Sequence, residues 1–417
     1  MTMQNRSAKP AGAVTLVGTL VAIYMVSQFL RNSVGVIAPD LATEVGLNAA
    51  ELGLLSSAFF FAFASAQLPL GVALDRFGPR LSLLVGAAIT VVGVVVFALA
   101  TTPTGLIGAR VLLGLGCASS LMAPLALYAR VFPPERFATL TGLQLGLGTT
   151  GTVLATAPLA WSAAAIGWRD SFLAVAAITL TIAVLVALVV RNPPEDAAHV
   201  RKESFGDSIA GLMAVVRTPF VGSLFLMQLA GYSSFALVLG LWGGPYLTHV
   251  YGYGLKARGN LLLIGAAAQI VGSLAWGPMD RVFASFKRPI LLGALASAAA
   301  LGVLAAAETL PTAMLIAWFA VFGVACAYLP VLIAHGRALF PHHLVGRGIT
   351  LLNIGSMGGV FLSQTVSGAV INLFPAPGGV YPLDAYRVVF ALQALFLLAA
   401  CAVYLGVRDA YAAPKPA

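Results

Sequence analysis

Arg31 is a cation in the middle of an apolar stretch, and it is the most specific chemical signal in the sequence. A cation inside a membrane-spanning helix costs about 2.5–3.5 kcal/mol on insertion scales, so it normally has a partner or a task. Tyr24, Gln28 and Arg31 are spaced by four and then three residues, which puts them on one helix face. The guanidinium can bind two oxygens of a carboxylate or phosphate at once. We therefore expect this stripe to face a cavity; the alternative is that Arg31 snorkels to the lipid head groups.

Other polar residues within apolar stretches are candidates for the same cavity. Gln228 and Tyr232 are four residues apart and share a helix face. The predicted substrate contacts beyond the Arg31 stripe are Gln144, Gln228, Tyr232, Tyr328 and Asn353. For each of them, a hydrogen bond between neighbouring helices is the competing interpretation.

The elements that position these residues are membrane-spanning helices. Of the 417 residues, 60% are hydrophobic and only 9% are charged, which no water-soluble core could accommodate. A span needs about 20 mainly apolar residues, and a backbone exposed to lipid must satisfy its own hydrogen bonds. The sequence predicts an all-α membrane protein with twelve spans, near 12–37, 50–72, 80–100, 104–131, 138–162, 170–190, 220–246, 258–278, 288–307, 312–334, 346–373 and 385–407.

The chain has the pattern of a duplicated six-helix unit. The polar segment 191–218 separates six spans from six, so we predict two bundles, 1–190 and 219–417, joined by a cytoplasmic linker. Arg130 to Pro133 and Arg337 to Pro341 close the fourth and tenth spans with similar residues. Phe205 to Val216, within the linker, is apolar enough to lie as an amphipathic helix on the membrane surface.

Basic residues are distributed unevenly between the two sides of the membrane. With the N-terminus in the cytoplasm, 17 of the 23 Lys and Arg fall on the cytoplasmic side, 4 fall outside and 2 lie within spans. This bias predicts a multi-pass protein of the cell membrane, the inner membrane in a bacterium, with both termini cytoplasmic. The net charge of +9 is explained by these basic loops on the cytoplasmic side of the lipid bilayer, so no nucleic-acid partner is expected.

The loop between the second and third spans carries a motif. Residues 71–80 read GVALDRFGPR and match G-x-x-x-D-R-x-G-x-R, so the chain resembles the major facilitator superfamily. This resemblance implies two pseudo-symmetric six-helix bundles facing each other across a central cavity, with helices one, four, seven and ten lining the path. It also implies that charges in this loop latch the cytoplasmic side in the outward-open state. The gating residues predicted here and at the equivalent loop of the second half are Gly71, Asp75, Arg76, Gly78, Arg80, Asp280 and Arg281. Gly71 is expected to let neighbouring helices approach, and Gly78 to allow a tight turn.

A second pattern lies in the fourth span. Arg110 to Gly116 reads RVLLGLG, which resembles the R-x-x-x-G-x-G pattern of the same superfamily. The matching arginine in the family is linked to structural coupling and sometimes to proton movement. The alternative is an arginine that snorkels to the outer interface.

The first helix is similar to that of the organic-anion carriers of this superfamily, in which an arginine stands at this spacing from a proline, here Pro39. Those carriers commonly have an acidic residue directly before the arginine, whereas this chain has Leu30. No acidic residue falls deep in a span, which leaves His249 and His335 as groups that could exchange a proton. Exchange of one anion for another, or uniport, therefore competes with proton symport.

The combined prediction is a secondary active transporter of a small organic anion (carboxylate, sugar acid or phosphate ester) that works by rocking its two bundles. The expected partners are this solute, the bilayer and a coupling proton or counter-anion, with the chain acting as a monomer. No enzyme activity, cofactor or metal is expected, because no catalytic constellation, phosphate-binding loop or metal-ligand spacing is visible. The alternatives are an exporter of drugs or siderophores, and a membrane sensor that kept the fold without transport.

Overall fold

The computed structural model describes residues 10–191, 205–341 and 344–411, and these residues are almost entirely helical. In the first half the helices are α1 (Pro10–Asn32), α2 (Val34–Val45), α3 (Ala49–Leu99), α4 (Pro103–Cys117), α5 (Ser119–Val131), α6 (Pro134–Gly148), α7 (Thr150–Leu154), α8 (Ala157–Ile166) and α9 (Trp168–Val189). The helix α10 (Phe205–Val216) follows. In the second half they are α11 (Val221–Leu237), a π-helical segment (Val238–Trp242), α12 (Gly243–His249), α13 (Leu255–Trp276), α14 (Met279–Val282), α15 (Lys287–Ala306), α16 (Thr312–Ala325), a 3₁₀ turn (Cys326–Tyr328), α17 (Leu329–Leu339), α18 (Val345–Ile371), a 3₁₀ turn (Pro377–Gly379) and α19 (Leu383–Tyr404).

The spanning helices follow the predicted order, and several are built from more than one segment. Among the described residues, eleven helices are long and apolar enough to cross a membrane. The predicted fifth span, 138–162, is formed by the three consecutive segments α6, α7 and α8. The first span consists of α1 and α2, which meet at Ser33 and continue to Val45, well beyond the predicted end at 37. The twelve-helix architecture in two six-helix bundles is confirmed, and the first six and last six spans are called the N-terminal and C-terminal halves below.

The halves share a detail that reflects their common architecture. In each half, an arginine at the start of the sixth span donates hydrogen bonds to backbone carbonyls at the end of the third span. Arg169 donates to Ala98 O at 2.6 Å and to Ala100 O at 2.8 Å. Arg387 donates to Ala305 O at 2.8 Å and Ala306 O at 2.9 Å. A cation suits these positions because the last carbonyls of a helix have no intrahelical partner and carry partial negative charge.

The two faces of the molecule differ in how the halves meet. The face on which α1 begins and α19 ends is called the terminal face. On the opposite face the halves are in backbone contact: a Cβ on Gly35 would lie 2.2 Å from Leu239 O, and one on Gly53 would lie 2.5 Å from Gln364 O. Towards the terminal face, a cavity of about 360 Å³ lies between the N-terminal half and Thr350 of α18. The structure is therefore closed at the opposite face.

The predicted amphipathic segment forms α10, with the same bounds, Phe205–Val216. Val215 is fully buried, and the guanidinium of Arg347 in α18 lies against Gly211. The remainder of the predicted linker, 192–204, lies outside the described residues. The helix thus packs against α18 of the C-terminal half and also contacts α3 of the N-terminal half. The predicted linker boundaries remain a prediction.

Candidate functional site

Arg31 lies deep in the molecule between the two halves. Because the first span continues to Val45, Arg31 stands fourteen residues, about 21 Å, before its end. Its side chain is 7% exposed, its Nη1 is 3.4 Å from the hydroxyl of Tyr232 in α11, and its guanidinium lies 4.7 Å from the ring centre of Phe63. The residue therefore joins the halves at the centre, and snorkelling to the head groups does not describe it.

Several buried polar atoms near this junction have no hydrogen-bond partner. They are Arg31 Nε and the Oε1 atoms of Gln28 and Gln228, although Gln228 Nε2 donates to Ser356 Oγ at 2.6 Å. Leaving such a group unpaired costs about 1–3 kcal/mol, so each one needs an explanation. A bound polar ligand would explain them, because these atoms together offer a charged donor and two acceptors for hydroxyl groups.

Gln67 is a candidate that the sequence reasoning missed. It lies one helical turn from Phe63 in α3, lines the cavity of about 360 Å³ and is 6% exposed. Its Nε2 is buried without a partner. Its spacing of four residues from Phe63 was visible in the sequence, but only the structure shows that Phe63 underlies Arg31.

Tyr24 and Gln28 pack against glycines of the fifth span. A Cβ on Gly148 would lie 2.1 Å from Tyr24 Cδ1, and one on Gly151 would lie 2.0 Å from Met25 O. Both Tyr24 and Gln28 are buried. These glycines therefore let the first and fifth spans approach closely, as expected for packing residues.

No hydrogen bond among the described residues joins the other predicted cavity residues to Arg31 or Tyr232. Gln144 accepts from Tyr128 Oη at 2.8 Å and donates to Leu20 O at 2.9 Å, so it ties helices within the N-terminal half. Tyr328 is fully buried within the C-terminal half, against Gly231 and Gly293. Asn353 is partly exposed on α18. Their roles as ligand contacts remain predictions.

Arg110 is fully buried in the N-terminal half. It donates to Leu30 O at 2.6 Å and, at 3.4 Å each, to Leu55 O and Ser56 O. Its guanidinium also lies 4.7 Å from the ring centre of Phe59. Arg110 thus binds the first and second spans beside Arg31, and the interpretation as an arginine snorkelling to the interface is wrong for this conformation.

The glycines of the Arg110 motif permit close helix contacts. A Cβ on Gly114 would lie 2.3 Å from Phe59 O, and one on Gly116 would lie 2.6 Å from Thr90 N. We expect Gly114→Ala and Gly116→Ala each to destabilise the protein by about 1–3 kcal/mol, as overpacking does, seen as a lower Tm of the purified protein. Gly108→Ala in the same helix is the matched control, because its Cβ would meet nothing within 4 Å. Equal Tm values for the three variants would contradict this packing role.

The motif residues near the terminal face are partly described. Gly78 has a φ of 78°, which supplies the tight turn between the two spans of α3. Arg80 Nη2 donates to Ala187 O at 2.9 Å, and Arg76 is exposed. Nothing lies within 4 Å of a Cβ built on Gly71, so the close helix approach expected there is wrong; Gly71 instead lines the cavity.

The latch assigned to this loop remains a prediction. The side chain of Asp75 lies outside the described residues. Asp280 and Arg281 lie in the short helix α14, with Asp280 partly buried and Arg281 exposed.

The closed opposite face contains a charge pair that the sequence reasoning did not single out. Arg258 of α13 is 3% exposed and forms an ion pair with Asp40 of α2. It also donates to Val36 O at 2.7 Å and to Thr248 Oγ1 at 3.1 Å. Because Asp40 and Val36 belong to the N-terminal half, Arg258 connects the halves. The two charges are 218 residues apart in sequence, so no local pattern could pair them.

The segment from Trp242 to Tyr246 forms part of the same closed face. Trp242 is 1% exposed and donates from Nε1 to Ser367 Oγ at 2.7 Å, so it does not form part of an aromatic belt at the membrane interface. It ends the π-helical segment, and a Cβ on Gly244, two residues later, would lie 2.0 Å from Gly35 O. π-helical turns occur often at functional sites, which is consistent with a gate here.

The two histidines considered for proton exchange lie within the C-terminal half. His249 Nδ1 is 2.6 Å from Tyr386 Oη, and His335 Nδ1 is 2.6 Å from Tyr404 Oη. His335 Nε2 is also 3.0 Å from Arg408 O. None of these contacts involves Arg31.

The two-bundle membrane fold, with Arg31 buried where the halves meet, is the architecture of a membrane carrier. The family model of the Major Facilitator Superfamily matches residues 20–277. The chain belongs to this superfamily.

Relatives and solved structures agree with this assignment. The chain is 26% identical over 283 residues to a probable sulfoacetate transporter of Cupriavidus necator, covering 64% of this chain and 65% of that protein. It is 26% identical over 313 residues to a probable L-galactonate transporter of Escherichia coli, covering 70% and 68%. The crystal structure of a bacterial homologue of the human lysosomal transporter Spinster, in an inward-facing and unoccupied conformation, has a TM-score of 0.76 at 20% identity, covering 95% and 97%.

Proposed function

We propose that this chain is a secondary active transporter of a small organic anion that carries hydroxyl or further acidic groups. The observation that carries the proposal is Arg31, which is buried between the halves. Among the described residues its Nε has no partner, and its guanidinium contacts only the neutral side chains of Tyr232 and Phe63. Both named relatives are described as transporters of acids, a sulfonated acetate and a sugar acid. A carboxylate or sulfonate on Arg31 satisfies its free donors, and Gln28 and Gln228 accept from hydroxyl groups.

Transport proceeds by alternating access in this proposal. The positive-inside bias places the terminal face and both termini in the cytoplasm, and the chain acts as a monomer in the cell membrane. The present conformation then opens inward, with Arg258 and Asp40 closing the outer face. In the outward-open state the halves rock together at the cytoplasmic face, where Asp75, Arg76 and Arg80 would form the latch, with Asp280 and Arg281 at the equivalent loop. The bundle boundaries at 190 and 219 belong to the same proposal.

A thermal-shift panel on the purified protein tests the substrate class. Sulfoacetate, D-galactonate, D-glucuronate and lactate are compared with galactitol, a neutral polyol that serves as the matched control. We expect at least one of the four anions to raise Tm and galactitol to have no effect, because a ligand present at about 100 times its Kd stabilises the folded state by about 2.7 kcal/mol. Stabilisation by galactitol or by hydrophobic cations, with none by the acids, would contradict the proposal and favour a drug exporter.

A further inference from the structure

The interior of the N-terminal half holds two arginines without an acidic partner. Arg31 contacts a phenol hydroxyl and the face of a phenylalanine ring, and Arg110 contacts three backbone carbonyls and another ring. No carboxylate among the side chains that the structure describes forms a hydrogen bond or ion pair with either one. The two residues are 7% and 0% exposed, so solvent does little to screen their charge.

The structure describes nine carboxylate side chains, and all except Asp40, which is within α2, lie at helix ends or in loops. They are Asp40, Glu44, Glu51, Glu135, Asp170, Asp280, Glu308, Asp384 and Asp409. The two on α2 are already engaged, Asp40 with Arg258 and Glu44 with Arg169 and Trp168. The residue directly before Arg31 is Leu30, which is fully buried and apolar.

Arg31 and Arg110 differ in how well their charge is satisfied. Arg110 donates from Nε, Nη1 and Nη2 to fixed carbonyls, so it is held in place whether or not a ligand is bound. Arg31 has a buried Nε without a partner and one hydrogen bond, to Tyr232, which lies in the other half. Rocking of the halves changes this contact, so Arg31 is the cation that loses its support when the empty protein reorients.

We propose, building on the proposed anion transport, that this chain is an obligatory anion exchanger. Its empty form does not reorient, because Arg31 would then be enclosed between the halves without a counter-charge. A bound anion neutralises Arg31 and allows the passage. In a symporter a nearby carboxylate pairs with the arginine in the empty state and is protonated in the loaded state, and Leu30 cannot serve that purpose. Each inward movement of an anion is therefore matched by an outward movement of another.

Counterflow in proteoliposomes tests this proposal with the full-length protein. Labelled sulfoacetate, D-galactonate, D-glucuronate and lactate are each added outside vesicles that contain the same unlabelled anion or none. We expect uptake into loaded vesicles to exceed uptake into empty vesicles by on the order of 10- to 100-fold, the rate ratio that corresponds to the loss of a hydrogen bond by a buried charged group. Equal uptake into loaded and empty vesicles would overturn the exchange mechanism and leave anion transport intact.

A substitution at Leu30 gives an independent result. We expect Leu30→Asp to gain net uptake into empty vesicles under an inwardly directed proton gradient, because the new carboxylate adds a protonatable counter-charge next to the two buried arginines of the empty protein. Leu30→Asn has nearly the same shape without the charge and should keep the exchange behaviour. If Leu30→Asp does not fold, the counterflow ratio of the unaltered protein decides the question by itself. Absence of flux for all four anions in both vesicle types, with no thermal shift, would overturn anion transport and exchange together.

Discussion

Arg31→Gln should abolish anion binding and at the same time stabilise the empty protein. Removing one partner of a buried charge pair typically costs about 2–5 kcal/mol, so we expect the affinity for the anion that stabilises the unaltered protein to fall at least about 30-fold. The empty protein should gain stability because Arg31 is buried without a counter-charge, with its Nε unpartnered. Lost binding together with a raised Tm distinguishes a ligand-binding arginine from one that only supports the fold.

Two variants serve as controls for this result. Arg31→Lys keeps the positive charge but loses the planar guanidinium that binds two oxygens at once, so it should retain part of the affinity. Tyr232→Phe removes only a hydroxyl that lies 3.4 Å from Arg31 and should cost about 1 kcal/mol of binding energy. Titration calorimetry and thermal unfolding measure both quantities on the same preparations. Unchanged binding in Arg31→Gln would contradict the anion site.

Asp40→Asn should open the face that is closed in this structure. Arg258 would then be buried without a counter-charge; because the Asp40 side chain is 38% exposed, we expect a cost of about 1–3 kcal/mol, less than for a fully buried pair. A change of this size alters the ratio of closed to open molecules by a factor of about 5–150. Val36 O and Thr248 Oγ1 would remain as partners of Arg258, but neither carries a charge.

Cysteine labelling reports this opening directly. Ser57 is fully buried and lies between the halves, where it accepts a hydrogen bond from Thr365 at 2.9 Å. With the native cysteines replaced, Ser57→Cys should react with a membrane-impermeant maleimide much faster in the Asp40→Asn background. Asp384→Asn is the matched control, because the Arg387–Asp384 pair is exposed and lies within one helix. Equal labelling rates in all backgrounds would rule out Asp40 as part of the gate.

The basic residues on the opposite face show why the charge bias is not a complete description of this protein. Positive-inside topology predicts few cations there, and the sequence has only Arg169, Lys256, Arg258 and Arg387. The three arginines all form specific hydrogen bonds. Arg169 and Arg387 cap the end of the third span of their halves, and Arg258 connects the halves. A counting rule predicts their number, whereas their partners depend on helix packing.

Local patterns account for most of what was predicted correctly. The apolar stretches predicted the spans, and the Gly78 turn followed from its motif, because helix formation in lipid and backbone conformation are local properties. The segmented fifth span was not predicted, because 138–162 has enough apolar residues for a span whether or not its helix is continuous after Gly148 and Leu154. Gly71 was misread because the space around a glycine depends on how the halves are placed relative to each other.

The sequence by itself determined that this is a membrane protein of two related halves with a helix face carrying Tyr24, Gln28 and Arg31, because composition, periodicity and spacing are properties of a single chain segment. Only the tertiary structure decided that Arg31 meets Tyr232 and Phe63, and that Asp40 meets Arg258. These contacts join residues from different helices, and their energies depend on burial and on distances that arise only when the two halves pack together.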